Sequence, residues 1–112
     1  MKIERGDIFL ADLDPTRGRE IRKTRPVLVV SNNIANEFSE LVTVAPLTSK
    51  NLERIRAFEV FQPKTKGLSV PSKILIQQIR TIDKARLFKR LTQAEPETMD
   101  RVNFALKVHL GL

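Results

Sequence analysis

Short β-rich runs separated by turn-forming residues fill most of the sequence before any long helical pattern begins. Runs of β-branched or alternating apolar residues are typical of strands, and they predict five strands at residues 8–13, 27–30, 41–47, 57–61 and 72–77. The intervening segments 14–18, 31–33 and 63–67 concentrate proline, glycine, asparagine and aspartate, so they are predicted loops. Pro26 is expected to open the second strand, because proline cannot donate a hydrogen bond inside a central strand.

The hydrophobic period changes towards the C-terminus. Asp83 is expected to cap a short helix that runs to Arg86, and residues 88–91 return to an extended form. Pro96 suits the first turn of a longer helix that Gly111 ends. The apolar residues predicted to form the core face of this helix are Met99, Val102, Leu106 and Leu110.

Two further apolar residues of the last helix, Phe104 and Val108, fall on nearly the opposite side from that core face. They predict a second packing surface, which is either a subunit interface or a face covered by another loop of the same chain. The 112 residues contain no repeat and no linker, so residues 1–112 are expected to form one domain. Its class is mainly β (α+β), with a C-terminal helix.

The composition limits the environment and the partners of the chain. There are no cysteines, which excludes disulfides and thiolate sites, and no apolar run approaches the roughly 20 residues of a membrane span. A cytoplasmic location is therefore expected. Lys and Arg number 20 against 13 acidic residues, for a formal charge of +7. This excess favours a polyanionic partner, although charge alone does not choose between RNA, DNA, lipid and an acidic protein.

Several kinds of chemistry are excluded by what the sequence lacks. His109 is the only histidine, and its place beside the core stripe of the last helix favours a packing or surface role over catalysis. Asp7, Asp12 and Asp14 lack the spacing of a cation-binding loop and are expected to be structural or solvated. No glycine-rich phosphate loop is present. The sequence predicts neither a metal nor a cofactor.

Three groups of motifs, in order along the chain, carry a family resemblance. The first comprises RGDI (5–8), LDPT (13–16), GRE (18–20) and RPVLVVSN (25–32); the second is VAPLTS (44–49); the third is QIRTIDK (78–84) followed by RL (86–87). Together they resemble the MazF/PemK toxins over nearly the whole chain. The resemblance implies an SH3-like β-barrel with a C-terminal helix, a homodimer, and sequence-selective cleavage of single-stranded RNA. It also implies a cognate antitoxin, whose flexible acidic segment is expected to compete with RNA.

The resemblance also implies catalytic residues. The arginine of the Arg-Pro motif and the threonine of the Pro-x-Thr motif correspond to Arg25 and Thr48. RNA supplies its own nucleophile in the 2′-hydroxyl, so the enzyme must stabilise a charged phosphorane, and a guanidinium fork suits that task. Arginine is a poor general base, and Glu20 is the candidate for that role. Alternatively, Arg25 is a strand-edge ion-pair partner and Thr48 makes only a local hydrogen bond.

A basic loop and several polar residues are predicted to bind the RNA. The loop 16–24 can follow a phosphate backbone, while two glutamines can read base edges or can simply be solvated. Gln77 stands where some family members have an acidic residue, so no catalytic role of that acid is carried over, and a different cut-site preference is expected. The predicted RNA-binding residues are Arg17, Gly18, Arg19, Arg22, Lys23, Asn32, Ser49, Gln77, Gln78 and Arg80.

Two other functional classes are compatible with parts of the sequence. A protein-binding poison of the CcdB gyrase-toxin type shares the expected fold, but it acts through a C-terminal tail containing tryptophan, and this chain ends Leu110-Gly111-Leu112 without one. A non-catalytic RNA-binding barrel would explain the positive charge, but it would not explain why Arg25 and Thr48 are both present. Incubation with a long RNA separates these classes from a nuclease.

Overall fold

The computed structural model describes residues 1–14, 17–20 and 23–112, which form seven strands and two α-helices. The strands are β1 (Asp7–Asp12), β2 (Thr24–Val29), β3 (Leu41–Thr48), β4 (Glu59–Gln62), β5 (Ser72–Leu75), β6 (Arg80–Asp83) and β7 (Leu87–Gln93). The helices are α1 (Asn33–Phe38) and α2 (Pro96–Leu110), and two 3-10 helices span Ile76–Gln78 and Lys84–Arg86. No helix in this described part of the chain is long and apolar enough to cross a membrane.

The strands form one antiparallel sheet in the order β4-β5-β3-β2-β1-β7, and β6 joins it beside β3. One edge of β3 is shared, because Leu41–Val44 pair with β6 while Leu47 and Thr48 pair with β5. The mainly β class and the C-terminal helix are therefore confirmed. The sheet is not closed among the described residues, since β4 and β7 end the order without pairing with each other.

Two apolar clusters, on the two faces of the sheet, make up the core. One lies beneath α2, where Val102 and Ala105 pack with Ile74 and Ile76. The other is built around Phe9 and includes the β-branched residues of β2 and β3. The tight packing extends to the backbone: a Cβ on Gly67 would lie 1.7 Å from the Leu91 carbonyl oxygen, so only glycine fits there.

The strand predictions were correct in place but incomplete in number. All five predicted strands are present, whereas β6 and β7 bring the total to seven, and β7 includes the predicted extended segment. Residues 76 and 77 were wrongly assigned to a strand, because they lie in the 3-10 helix that follows β5. Pro26 is the third residue of β2 rather than its opening; β2 pairs only with β1 at this point, so the missing N–H breaks no bond to β3.

Two predictions about helices also need correction. The segment 31–33 was predicted as a loop, but Asn33 starts α1, and the Asn32 side chain caps this helix by accepting from the Ala35 N–H. Leu110 was predicted in the core face of α2, yet it is 54% exposed. His109 in the same turn is exposed too, which shows that the last turn extends beyond the surface that covers Val102. The Asp83 cap of the second 3-10 helix is confirmed.

Candidate active site

The two residues predicted to be catalytic end neighbouring strands. In the β2–β3 ladder Val27 lies opposite Pro46, and Arg25 and Thr48 are each two residues further along their strands in opposite chain directions. The paired register ends at Val27 and Pro46, and its extension by two residues would set Arg25 opposite Thr48. Because side chains two apart share a face, both residues point to the side on which Pro46 lies.

Local contacts fix the backbone around this pair. The Thr48 hydroxyl accepts a hydrogen bond from the Lys50 N–H at 3.2 Å, which is the local contact considered from the sequence. The hydroxyl hydrogen is still available to a further acceptor, because a hydroxyl can donate while it accepts. Arg25 is half-buried and also interacts within the chain. Its guanidinium is a cationic fork of donors, so it can meet an anionic phosphate.

A cavity of about 200 Å³, lined by both polar and apolar residues, adjoins the same strands. Its walls include Pro46 from β3 together with Glu20, Gln77, Gln78 and Arg80. The sequence predicted one of these residues as a base, Glu20, and three as RNA-binding residues, Gln77, Gln78 and Arg80. The fold brings all four together, although they come from positions 20 and 77–80. The distance along β3 from Pro46 to Thr48 is about 7 Å, which makes the cavity a neighbour of the Arg25–Thr48 pair.

A reciprocal pair of hydrogen bonds shapes the basic turn that carries Glu20. The Arg17 N–H donates to Glu20 Oε1 at 2.7 Å, and the Glu20 N–H donates to the Arg17 carbonyl at 3.1 Å. Gly18 inside this turn has a φ of +58°, a conformation that favours glycine. Arg17, Gly18, Arg19 and Glu20 are all exposed, so the turn presents its cations to solvent beside the cavity.

Two arginines from later in the chain hold the end of β1. Arg80 donates to the Leu13 carbonyl at 3.0 Å, and Arg86 donates to the Asp12 carbonyl at 3.0 Å and also to the Asp14 carbonyl. Arg80 therefore supports the backbone directly after β1, and it also lines the cavity. Its position links the third motif group to the first.

The other predicted RNA-binding residues are spread around this region. Lys23 is exposed, and its N–H donates to the Asp14 carboxylate at 2.9 Å. Ser49 is exposed next to Thr48, whereas Asn32 uses its side chain to cap α1. The prediction for Arg22 falls outside the described residues. No group of three or more His, Asp or Glu side chains that could hold a metal ion occurs in the described ranges.

A buried charge network beside the cavity was missed from the sequence. Glu59 and Lys73 are only 8% and 7% exposed, and their side chains are joined at 3.1 Å. Burial raises the pKa of Glu59, but hydrogen bonds from the Arg56 N–H, Lys73 and Gln77, together with the Lys73 charge, outweigh it, so the pKa lies below its ordinary value. Neither residue belongs to a motif, and only their opposite signs on adjacent strands could have indicated the pair.

An apolar groove of about 640 Å³ lies between β4 and α2. Phe61 and Ile55 line it from the sheet side, and Phe104 lines it from the helix. Phe104 is 67% exposed and Val108 is 45% exposed, so no other part of the described chain covers them. Of the two explanations offered for this helix face, coverage by another loop of the same chain is wrong.

The small open sheet carries a C-terminal helix on one face and, beside β3, a cavity lined by Glu20 and Arg80. Residues 4–110 match the family of PemK-like, MazF-like toxins of type II toxin–antitoxin systems, and the chain belongs to this family. A similar relative is Endoribonuclease EndoA of Bacillus subtilis (strain 168), which is 41% identical over 100% of this chain and 97% of its own length. The predicted family and the predicted class of RNA-cleaving toxin are confirmed.

Solved structures support the same placement. MazF from Deinococcus radiodurans superposes with a TM-score of 0.85 at 26% identity, over 100% of this chain and 99% of the other. A mycobacterial endoribonuclease in complex with its cognate antitoxin gives a TM-score of 0.81 at 28% identity, over 98% and 96% of the two chains. The fold predicted from the three motif groups is thus the fold of known toxins.

Proposed function

We propose that this chain cuts single-stranded RNA in the cytoplasm without a metal, as the toxin of a toxin–antitoxin pair. The observation that carries the proposal is that Arg25 and Thr48 lie two residues beyond the paired Val27 and Pro46, on neighbouring strands, and that Pro46 lines the cavity. Family membership supports the RNA substrate. A site that can hold a phosphate between a guanidinium and a hydroxyl suits a reaction in which RNA attacks itself.

In the proposed reaction the 2′-hydroxyl oxygen loses its proton and attacks the adjacent phosphorus. The bond from phosphorus to the 5′-oxygen then breaks, and that oxygen takes up a proton to leave as a 5′-hydroxyl on the downstream fragment. Arg25 stabilises the negative charge of the phosphorane through its forked donors, and Thr48 contributes a neutral donor. Glu20 is the candidate base, since its exposed carboxylate lines the cavity.

The RNA strand is proposed to cross the exposed basic turn. Arg17, Arg19 and Lys23 are three exposed cations close in sequence to Glu20, which lines the cavity. Such a turn follows phosphates without reading bases, and binding through it weakens as salt rises. The cavity residues Gln77 and Gln78 are proposed to supply the sequence preference.

The decisive experiment incubates the purified protein with a long RNA in excess EDTA. Discrete fragments with 5′-hydroxyl ends are expected, and cleavage should stop when the nucleotide before the cut carries 2′-deoxyribose. Arg25→Ala should lose about 100-fold or more in rate, and Arg25→Lys should recover little because the forked geometry is lost. Thr48→Ala should fall between wild type and Arg25→Ala. Arg101→Ala, at an exposed arginine of α2, is the matched control.

Four results would count against this mechanism. A requirement for added divalent metal, or wild-type cleavage by Arg25→Ala, would remove the assignment of the catalytic pair. RNA binding without any cleavage would favour the non-catalytic barrel. Binding of gyrase in place of RNA would favour a protein-directed poison.

The partner is proposed to be a cognate antitoxin with a flexible acidic segment. The formal charge of +7 and the antitoxin complex of the mycobacterial structure support this proposal. Because the segment would compete with phosphates for Arg17 and Arg19, its binding should weaken as salt rises, and its co-expression should restore growth. A neighbouring reading frame that leaves toxicity unchanged would exclude that product as the antitoxin.

A further inference from the structure

A β-bulge sets Phe88 apart from the other residues of β7. Leu10 of β1 lies opposite Lys89. The next residue of β1, Ala11, lies opposite Leu87, so Phe88 is left without a partner on β1. An extra residue of this kind bends its strand and re-aims the side chains around it. Phe88 is accordingly 56% exposed, although it follows the buried Leu87.

The position of β7 at the edge of the sheet does not account for an exposed aromatic residue. In the described part of the chain β7 ends the strand order and pairs only with β1. Edge strands are commonly protected from aggregation by charged residues and by bulges, and Lys89 and the bulge provide this protection here. Phe88 works against such protection, because it adds apolar surface to an open edge. Edge protection therefore does not explain Phe88.

The residues that follow Phe88 are cationic. Lys89 is exposed, and Arg90 keeps about half of its side chain exposed while it binds the buried carboxylate of Asp7 at 3.2 Å. By contrast, the exposed Phe38 lies in a segment whose neighbouring charged residues are two glutamates. Proteins that bind single-stranded RNA combine an exposed aromatic ring, on which a base stacks, with cations that meet the phosphates. Phe88 and its neighbours have this combination.

A row of paired residues connects this part of β7 with the proposed catalytic residues. Ala11 pairs with Arg25 on β2 and with Leu87 on β7, so the three residues lie side by side on neighbouring strands. Two inter-strand spacings place Leu87 about 10 Å from Arg25. Phe88 directly follows Leu87. An RNA strand that is held at Arg25 can therefore reach Phe88 within a few nucleotides.

We propose that Phe88 is a stacking platform for one base of the RNA, and that Lys89 and Arg90 bind the phosphates next to that base. The inference rests on the proposed RNA substrate and extends its binding path from Arg25 to the edge of the sheet. Because every base has an aromatic face, stacking on Phe88 holds the strand without selecting its sequence. The platform therefore adds affinity for RNA and no preference for a particular base.

The experiment measures the Kd of an RNA oligonucleotide that carries 2′-deoxyribose before any mapped cut, so that it stays intact. Each nucleotide is replaced in turn by an abasic nucleotide, which keeps the phosphate and removes the base. At one position the loss of the base should raise the Kd of the wild type about tenfold. Exchange of that base for any other should change the Kd by less than about twofold, because stacking tolerates every base.

Variants of Phe88 test whether its ring is the platform. Phe88→Ala should raise the Kd of the complete RNA about tenfold and should make binding insensitive to the abasic nucleotide at that position. Phe88→Trp should keep the wild-type behaviour, whereas Phe88→Leu, which is apolar but has no flat ring, should behave like Phe88→Ala. Phe38→Ala removes another exposed ring and is the matched control, which should keep the tenfold loss at the abasic position.

The proposed phosphate contact has a separate measurement. Lys89→Ala should reduce the slope of log Kd against log salt concentration by about 0.7, the value for one phosphate contact on a single strand. Lys64→Ala, an equal charge change at an exposed lysine after β4, should leave the effect of the abasic nucleotide unchanged. Unfolding in urea should be nearly the same for all Phe88 variants, because the side chain is exposed.

Cleavage of unmodified RNA, measured in parallel, distinguishes failure of this inference from failure of the proposed function. Cleavage by a protein whose binding tolerates every abasic nucleotide, or whose sensitive position is unchanged in Phe88→Ala, would overturn the inference alone. Wild-type behaviour of Phe88→Leu would show an apolar contact in place of stacking and would also overturn it. Stacking at Phe88 without cleavage would support the inference and overturn the proposed catalysis. A protein that binds no RNA would overturn both.

Discussion

The Glu59–Lys73 ion pair makes a quantitative prediction about stability. In Lys73→Met the aliphatic length of the side chain is kept, but Glu59 loses its buried cation at 3.1 Å. Removing one partner of a buried pair typically costs 3–5 kcal/mol, because a charge is left uncompensated. Glu59 keeps its hydrogen bonds from the Arg56 N–H and from Gln77, so the expected cost lies near the lower end, at about 3 kcal/mol.

This cost can be measured by denaturation with urea and by thermal unfolding. For a chain of this length, about 3 kcal/mol lowers the midpoint temperature by roughly 12 °C. Adding Glu59→Leu to Lys73→Met removes the unpaired charge and should restore most of the lost stability. Lys2→Met is the control, since Lys2 and Glu4 form an exposed pair at 3.7 Å and its loss should cost less than about 0.5 kcal/mol. The reasoning is refuted if Lys73→Met costs no more than Lys2→Met.

Three other predictions concern acid stability, backbone packing and assembly. Folding lowers the pKa of Glu59, so the ionised carboxylate contributes to the free energy of unfolding. This contribution is complete above the unfolded pKa of about 4.3 and is lost as pH falls through the lower folded value. Glu59→Gln should remove this part of the pH dependence when unfolding is measured at a series of acidic pH values. Gly67→Ala should destabilise the fold by more than Gly18→Ala in urea, because its Cβ meets the Leu91 carbonyl, whereas a Cβ at Gly18 has open space and meets only the strain of a positive φ; equal effects would contradict the close approach. If Phe104 packs in a homodimer, sedimentation of Phe104→Glu should show a shift from dimer towards monomer, and a fully dimeric variant would exclude this interface.

The sequence predicted the strands whose packing is local and regular. The β-branched run of β2 and the alternating residues of β5 carry a clear period, and both strands are buried where expected. α1 was missed because it has only six residues, too few for a helical period, and because its Asn32 cap was interpreted as a loop residue with an RNA-binding role. Leu110 has the correct helical phase, but phase does not tell where the supporting surface ends.

The sequence could indicate which residues belong to the candidate site, but not how these residues are arranged in space. Arg25 and Thr48 followed from the family motifs and Glu20 from the need for a general base, whereas their arrangement depends on the pairing of β2 with β3 and on the turn at residues 17–20. The Glu59–Lys73 pair could not be derived, because glutamate and lysine are usually exposed and burial of both requires the complete fold. Long-range contacts therefore carry the information that the motifs lack.

The hydrogen bonds from Arg80 and Arg86 to the end of β1 bear on the order in which a newly made chain completes this region. The carbonyls that they hold lie 67 and 74 residues earlier in the chain. Synthesis proceeds from the N-terminus at about 5–20 residues per second, so the end of β1 leaves the ribosome seconds before these two arginines do. During that interval the end of β1 lacks the hydrogen bonds that both arginines later donate. The end of β1, which leads towards the turn that carries Glu20, therefore receives its last support only after most of the chain has been made.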